Sequence, residues 1–226
     1  MKKIIKLLIL ILVVYSNGYS QQITIKNIES RLVTHQGVEF IGELNDRRND
    51  DIYMSNNWDN EGVLYLNDKS YSLSNINFNV TKNSFDSRID RIKLFAFSNS
   101  SLDSVEINNH LFKKIDGIFY EVIFEKDGSY LLKKHDIKVT KGAINRLDLS
   151  EGKSFTSLIY KYLIKSDNKF RKFDLNKRSI VDLIDDEKEQ DKLVEFVKDG
   201  RLSYKKEEDI KEIFEYILKN SDNIIQ

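Results

Sequence analysis

Residues 115–132, IDGIFYEVIFEKDGSYLL, decide the fold because two Asp-Gly pairs enclose one apolar run. Asp116–Gly117 and Asp127–Gly128 are the strongest short-range signals for two-residue β-hairpin turns. Each pair separates two runs of strand-forming residues. The stretch therefore predicts three consecutive antiparallel strands, and the rest of the chain can be interpreted outward from them.

The same pattern of short strands and turns extends in both directions. Ile76, Phe78 and Val80 alternate with polar residues, which is typical of a half-buried strand. Asn108–Asn109 predicts a further tight turn, and Ser166–Asp167–Asn168 predicts the turn of one more hairpin. Turn signals every 8–12 residues favour an antiparallel β-sandwich or an open barrel over residues 21–174.

Helical signals replace the strand signals over residues 175–226. Ser179 is predicted to cap a short helix through Ile184, and Asp186 with Glu189 forms a capping-box signature for a second helix. Gly200 is expected to supply a left-handed residue where that helix ends. The last helix is predicted from the apolar stripe Ile210, Ile213, Phe214, Ile217 and Leu218, preceded by the acidic residues 207–209. The predicted fold class is thus α+β, with a β-rich body and a short C-terminal helical segment packed on it.

Residues 1–20 have the three parts of a secretory signal peptide. Met1-Lys2-Lys3 is a basic start, Leu7 to Tyr15 is an unbroken apolar run of nine residues, and Gly18-Tyr19-Ser20 offers small residues for cleavage near Ser20–Gln21. A membrane anchor would need about 20 apolar residues. We therefore expect export to the periplasm, the outer envelope or the medium, with no transmembrane anchor in the mature chain.

The composition excludes several classes of protein. The 226 residues include no cysteine and no proline, which excludes a disulfide scaffold, a thiolate metal site, a cysteine nucleophile, a lipoprotein anchor and a collagen-like chain. Basic and acidic residues balance at 36 each. Removal of Lys2, Lys3 and Lys6 with the signal peptide leaves 33 basic against 36 acidic groups, so the mature protein is slightly acidic.

No motif in the sequence predicts catalysis, a metal site or a cofactor. His35, His110 and His135 are far apart and in no zinc-binding arrangement, so we interpret each as a solvated surface residue. Residues 57–62 partly match the spacing of a calcium loop, but the first position is a neutral Asn and the twelfth is Asp68. An ordinary turn is the better interpretation. No nucleophile motif or phosphate-binding loop is present.

Two groups of residues are candidates for ligand binding. Trp58, with Tyr53 and Tyr65 nearby, could stack on a sugar, although a core position is the expected alternative for the tryptophan. The stretch 161–178 is locally basic and includes Lys169, Arg171 and Lys172. In an exported protein it could bind an acidic polysaccharide or a lipopolysaccharide phosphate. Nucleic acid is not expected as a partner, and solvated lysines over core aromatics are the alternative.

The C-terminal half resembles a group of exported proteins, common in Bacteroidota-type bacteria, that have no assigned activity. The resemblance covers about Tyr71 to Leu218 and rests on four stretches, Phe119–Val122, Tyr130–Lys134, Phe170–Lys172 and Leu202–Asp209. This resemblance implies an envelope location and a β-then-helix layout. It also implies possible O-glycosylation at Asp103-Ser104-Val105, with Ser104 as the acceptor.

Three functions remain open at this level. The first is a non-enzymatic envelope or secreted protein whose sheet surface binds another envelope protein or a glycan. The second is a glycosidase-like hydrolase, which would need two carboxylates facing each other across one cleft. The third is a structural subunit of a surface assembly, which would show a large exposed apolar patch or an unpaired sheet edge.

Overall fold

The computed structural model describes residues 21–22, 31–33, 39–46, 52–66, 69–142, 154–166 and 169–220. The predicted signal peptide, His35, Asp68 and the turn residues 167–168 lie outside the described residues. Among those described, no helix is both long and apolar enough to cross a membrane.

The described residues form two sheets followed by three helices. The strands are β1 (Gln21–Gln22), β2 (Arg31–Val33), β3 (Glu39–Asp46), β4 (Glu61–Leu66), β5 (Lys69–Ser74), β6 (Ile76–Asn79), β7 (Ser84–Arg88), β8 (Lys93–Phe97), β9 (Ser104–Ile107), β10 (His110–Ile115), β11 (Ile118–Lys126), β12 (Ser129–Thr140), β13 (Phe155–Ser166) and β14 (Lys169–Phe173). A short 3-10 turn covers Asn99–Ser101, and the helices are α1 (Lys177–Val181), α2 (Glu187–Asp199) and α3 (Glu207–Asn220).

Both sheets are open and mostly antiparallel. One has nine described strands in the order β1-β5-β4-β9-β10-β11-β12-β13-β14, and the other has five in the order β2-β3-β8-β7-β6. The short β1 pairs in parallel with β5, whereas the other pairings are antiparallel. The sheets do not close into a barrel, so the predicted α+β class with an antiparallel body is confirmed.

The predicted hairpin turns are confirmed by their backbone angles. Asp116 and Gly117 have φ of 51° and 81°, and Asp127 and Gly128 have φ of 50° and 80°. Two successive positive φ values are those of a type I′ turn, whose twist matches that of the flanking strands. Residues 108–109 use the same geometry with two asparagines. The meander from β9 to β12 is therefore determined by local turn chemistry.

An aromatic core joins the two sheets into a sandwich. Phe78 and Phe85 from the five-stranded sheet meet Phe112 from the nine-stranded sheet, with ring centroids 4.7 Å and 5.5 Å from Phe112. Each of the three rings is at most 1% exposed. Burying a ring of this size contributes about 1.5–3 kcal/mol, so these three rings stabilise the packing of the two sheets.

A second core forms where the helices pack on strands β11 to β14. A register shift between Val122 and Phe124 lets both Ile123 and Phe124 contact it, as a β-bulge does. This helical core contains Ile123, Leu131, Ile164, Phe173, Ile180, Leu183, Ile184, Leu193, Val197, Ile210, Ile213, Phe214 and Ile217. The helical segment therefore continues the packing of the long sheet instead of standing apart from it.

The helix ends confirm one capping prediction and correct two. Asp186 caps α2 by accepting hydrogen bonds from the backbone of Glu189 and its neighbour, as predicted. Helix α1, however, is capped by Asn176, whose side chain accepts from the Ser179 backbone at 2.9 Å. Gly200 has φ of −72°, and the left-handed residue is Arg201 with φ of 54°. The Gly200 prediction was wrong by one residue because Gly200, as the C-terminal cap of α2, keeps right-handed helical angles.

Candidate functional site

A row of polar side chains crosses the inner face of the nine-stranded sheet. The strand register places Phe112, Glu121, Lys133 and Tyr162 side by side on β10, β11, β12 and β13. Residues directly opposite each other in antiparallel strands share one face. Phe112 belongs to the sandwich core, whereas Tyr162 packs against the helical core. The polar residues between them therefore lie at the seam where the two cores meet.

Glu121 is the centre of this seam network, which consists of His110, Glu121, Lys133, His135, Tyr162 and Glu207. The Glu121 carboxylate is 2% exposed and lies 2.6 Å from His110 Nδ1 and 2.6 Å from His135 Nε2. The Lys133 ammonium lies 3.4 Å from the same carboxylate. Both carboxylate oxygens are thus engaged by nitrogen, which compensates for the loss of water around a buried charge.

Glu207 extends the seam network to the first residue of α3. One of its oxygens lies 2.9 Å from Lys133 Nζ and accepts a hydrogen bond from the Tyr162 hydroxyl at 2.5 Å. Sequence reasoning assigned Glu207 only to the positive end of the helix dipole. The structure adds that Glu207 joins the helix to the middle of the long sheet, a span of 74 residues from Lys133.

The network holds Glu121 in its charged form. Burial alone would raise the pKa of this carboxyl, but the hydrogen bond from His135, the Lys133 charge and the hydrogen bond from His110 lower its pKa from 4.5 to about 2. Burial would lower the pKa of Lys133, yet Glu121 and Glu207 raise it above its ordinary value. Burial and the neighbouring Glu207 also raise the pKa of Tyr162. The network therefore holds Glu121 as a carboxylate and Lys133 as an ammonium.

Acid should weaken the fold through Glu121. The unfolded chain binds a proton at this residue near pH 4.5, whereas the folded chain does so only near pH 2. Glu121 therefore stabilises the fold fully above pH 4.5, and we expect about 3 kcal/mol of that stability to be lost as the pH falls to about 2. Urea unfolding followed by Trp58 fluorescence across this range measures the loss.

The control for this pH dependence is the Glu121→Gln variant. It carries no titrating group at this position, so its stability should fall less steeply between pH 4.5 and pH 2 than that of the wild type. Equal slopes in the two proteins would show that other carboxylates determine the acid response.

His135 corrects one prediction from the sequence. It was expected at the surface, but it is 6% exposed, and its ring lies 5.7 Å from Phe78 and 5.6 Å from Phe112. Tyr160 contacts the ring from β13 at 5.1 Å. His110 remains half exposed, in agreement with the prediction. His135 is buried because it lies two residues after Lys133 and therefore shares the inward face of β12 with it.

A second buried carboxyl, Asp86, lies in the five-stranded sheet. It is 3% exposed and accepts hydrogen bonds on Oδ2 from the Tyr53 hydroxyl at 2.6 Å and from the Asn79 amide at 3.1 Å. Its Oδ1 atom has no hydrogen-bond partner in the described part of the chain. Burial raises the pKa of Asp86 in spite of these two donors.

Trp58 and Tyr53, two of the predicted sugar-stacking residues, cover this carboxyl. They are 2% and 4% exposed, and their rings meet edge to face at 4.8 Å. The two rings and Leu94 form a small cluster with Ile52 at its border. Both rings occupy core positions, which was the alternative expected for Trp58 from the sequence. Their burial gives no support to sugar stacking.

Tyr65 and Ser104 lie directly opposite each other on β4 and β9. Tyr65 is half-buried, and its hydroxyl lies 3.3 Å from a Glu106 carboxylate oxygen. It therefore belongs to the nine-stranded sheet, apart from Trp58, which packs on the other one. Ser104 is half-buried between Tyr65 and Lys113. Its glycosylation stays a prediction.

The loop considered for calcium binding uses its polar groups internally. Asn57 accepts a hydrogen bond from the Asp59 backbone at 3.0 Å, and the buried Asn60 amide donates to the Asn57 carbonyl at 2.8 Å and to the Ile76 carbonyl at 3.1 Å. Gly62 is already part of β4. The segment is a turn that joins the two sheets, in agreement with the preferred interpretation.

The buried carboxylates do not resemble the acid–base pair of a glycosidase. Glu121 and Asp86 lie in different sheets, and each is nearly inaccessible to solvent. Glu121 and Glu207 are closer to each other, but the Lys133 ammonium lies between them and contacts both. A general acid needs a raised pKa and access to substrate. The geometry of Glu121 is that of a structural ion network.

The three predicted cations Lys169, Arg171 and Lys172 all lie on β14 at the edge of the long sheet. Lys169 and Arg171 share one face, whereas Lys172 points to the other face because side chains alternate along a strand. Lys172 lies 3.8 Å from Asp174. The cations thus line an edge, and they do not converge on one pocket.

Beside these cations lies an unpaired stretch of strand, which we call the open edge, Phe155–Lys161. Strand β13 pairs along its whole length with β12, but β14 pairs only with Tyr162–Ser166. Within the described residues, the open edge therefore has no strand on its outer side. Phe155 is 65% exposed and Tyr160 is 47% exposed, and Val139 of the neighbouring β12 is 61% exposed.

Sequence reasoning missed the seam network and located the open edge only as part of a hairpin. A signal for the network was present in the sequence. Glu121 lies within an apolar run, and Lys133 and His135 follow Leu131 at a spacing of two, which places all three on one face of a strand. The sequence does not show which strands lie side by side, and the strand order is what brings these charges together. Comparison with protein-family models, with curated proteins and with solved structures finds no match for this chain.

Proposed function

We propose that this protein is an exported, non-enzymatic binding module that accepts an extended segment of another envelope protein along the open edge. The observation that supports this most directly is that no described strand pairs with the outer side of Phe155–Lys161, which carries exposed aromatic side chains. A row of unpaired N–H and C=O groups is a template for one more strand. Seven residues of strand span about 23 Å, which is enough for a peptide to add to the sheet.

The composition of the open edge differs from that of the edge next to it. Natural sheets protect exposed edges with short strands and charged side chains, above all lysine. Strand β14, KFRKF, follows this rule with three cations in five residues. The open edge, FTSLIYK, has one charged residue in seven and is rich in strand-forming side chains. The unprotected edge is the one expected to bind a partner.

The charges around the open edge indicate the chemistry of the partner segment. Lys161 of the open edge, Lys138 of β12 and Lys172 of β14 lie on one face of the sheet, whereas Lys169 and Arg171 lie on the other. Asp136 neutralises one of them, with its carboxylate 2.6 Å from Lys161 Nζ. Positive charge remains in excess, so the partner segment is expected to be extended and apolar with acidic residues.

The seam network supports the open edge from behind. The Lys133 ammonium lies 4.5 Å from the centroid of the Tyr160 ring, a cation–π distance, and His135 contacts the same ring at 5.1 Å. Tyr160 thus packs against the Lys133 ammonium and the His135 ring on one side while almost half of its surface stays exposed. A rigid aromatic anchor of this kind lowers the entropic cost of binding.

Hydrogen exchange with a synthetic peptide tests the proposal. The probe is an acetylated nonapeptide of alternating Glu and Val, added to the mature protein purified from the periplasm or medium of an expression host. We expect the amides of residues 155–161 to gain protection. The double variant K138E/K161E should bind the probe roughly tenfold more weakly, because the charge complementarity is reversed.

A matched double variant and a second peptide serve as controls. K188E/K211E changes the charge equally on exposed positions of α2 and α3 and should bind like the wild type. A peptide of alternating Lys and Val should bind least. Protection elsewhere in the sheet, equal binding of both peptides, or a homodimer formed through residues 155–161 would each contradict the proposal. Accumulation of full-length protein in the cytosol would contradict its export.

A further inference from the structure

A pocket of about 430 Å³ opens between α1, α2 and the loop that leads to α3. Its apolar wall consists of Val194 and Val197 of α2 with Leu202 of the loop. A volume of this size lies within the range of small-molecule sites. The pocket is lined by residues of the helical segment and by none of the open edge.

Three cations surround this apolar wall. Lys177 begins α1, Lys198 lies in the last turn of α2, and Arg201 follows that helix. All three are exposed, and in the described part of the chain none of them has a carboxylate within 4 Å. The positive charge at the pocket is therefore left uncompensated.

Tyr204 supplies a hydrogen-bonding group without a partner. It lines the same pocket, and its hydroxyl is buried with no hydrogen bond to any part of the chain that the structure describes. A buried hydroxyl that lacks a partner is costly, because it gives up its hydrogen bonds to water. A ligand oxygen at this position would satisfy it.

The backbone of Arg201 has a strained conformation, and its side chain lines the pocket. Arg201 ends α2 in the left-handed region, with φ of 54°, and the Leu202 backbone N–H donates to the Val197 carbonyl at 2.9 Å. Glycine is the residue preferred at this position of a helix end. The chain has its glycine one residue earlier and an arginine here, so the strained residue brings its cation to the pocket.

We infer that this pocket binds a single-chain amphiphile with an anionic headgroup. The apolar wall accommodates the chain, the three cations attract the headgroup, and the Tyr204 hydroxyl donates a hydrogen bond to one of its oxygens. A fatty acid and a phosphorylated lipid fragment share this chemistry, and they differ in the geometry and charge of the headgroup.

Four probes distinguish the parts of this proposal. Decanoate and decyl phosphate, both below their micelle concentrations, are expected to raise the melting temperature of the mature protein and to give saturable binding in calorimetry. Decanol lacks the charge, and inorganic phosphate lacks the chain, so each should bind at least roughly tenfold more weakly. The tighter of the two anionic probes identifies the headgroup.

The variant Arg201→Gly separates binding from folding. It removes the cation together with the left-handed strain, so the ligand-free protein should melt roughly 2–4 °C higher while binding decanoate roughly three- to tenfold more weakly. Val194→Trp fills the pocket without a charge change and should abolish binding. Lys211→Ala removes an exposed cation of α3 outside the pocket and should bind like the wild type.

Several outcomes would overturn the inference. Decanol binding as tightly as decanoate would show an apolar pocket without anion recognition. Inorganic phosphate binding as tightly as decyl phosphate would show that the apolar wall has no part. Unchanged decanoate binding in both Arg201→Gly and Val194→Trp would place the ligand elsewhere on the protein.

Discussion

Replacing Glu121 by leucine is expected to lower the free energy of unfolding at pH 7 by about 3–5 kcal/mol. The change leaves the Lys133 ammonium, which is 8% exposed, with Glu207 as its remaining partner in the seam network. It also removes the carboxylate that lies 2.6 Å from both His110 and His135. Urea unfolding followed by Trp58 fluorescence measures the loss.

The same substitution on the surface of the same strand is the control. Glu125 pairs with Lys113 at 2.5 Å, but both side chains are about one-third exposed. Glu125→Leu should therefore cost less than about 1 kcal/mol. A further variant, Glu121→Leu with Lys133→Met, should recover part of the loss, because it removes the charge that the single variant leaves buried. Equal losses for Glu121→Leu and Glu125→Leu would contradict the importance of the seam network.

Replacing Phe112 by alanine is expected to lower the free energy of unfolding by about 3–5 kcal/mol. Phe112 is fully buried, and it stacks on Phe78 at 4.7 Å while contacting Phe85 at 5.5 Å. The alanine variant loses this burial and leaves a cavity between the two sheets. It should also loosen His135, whose ring lies 5.6 Å away. Chemical denaturation of both proteins under one set of conditions measures the difference.

Phe170 provides the comparison for this core substitution. It lies on the edge strand β14 and is 39% exposed. Phe170→Ala should cost less than about 1.5 kcal/mol, since much of its ring is already in water and no closed cavity forms. If Phe112→Ala were no more costly than Phe170→Ala, the sandwich core would not be the main source of stability.

The helix ends illustrate how far local patterns can be trusted. The predicted cap at Asp186 was correct because the interaction lies within one turn of chain. The prediction of a left-handed Gly200 was wrong, although a glycine is present, because Gly200 keeps right-handed angles while Val197 and Leu202 on either side of it both pack in the helical core. Arg201 adopts the unfavourable φ as a result. Tertiary packing thus overrides the local preference for glycine at a left-handed position, which is worth about 1 kcal/mol.

The candidate binding residues show the same limit of predictions that rest on local sequence patterns. The sequence predicted Trp58 and Tyr53 as possible sugar-binding residues, but packing against Leu94 buries both. It identified the charges Lys169 and Arg171, and they do lie on an exposed edge. It also predicted a hairpin with unequal arms, Thr156–Lys165 and Phe170–Phe173, and in the structure β14 is shorter than β13 by seven residues. That difference in length creates the open edge, and a difference in pairing cannot be read from either strand alone.

The amino-acid sequence by itself determined the meander and the helical segment. Asp-Gly and Asn-Asn turns depend on the backbone freedom of two adjacent residues, and an apolar stripe depends on the period of one helix. Only the tertiary structure decided that Glu121, Lys133, His135 and Glu207 form one network. The physical reason is that the free energy of a buried charge depends on partners up to 74 residues away along the chain.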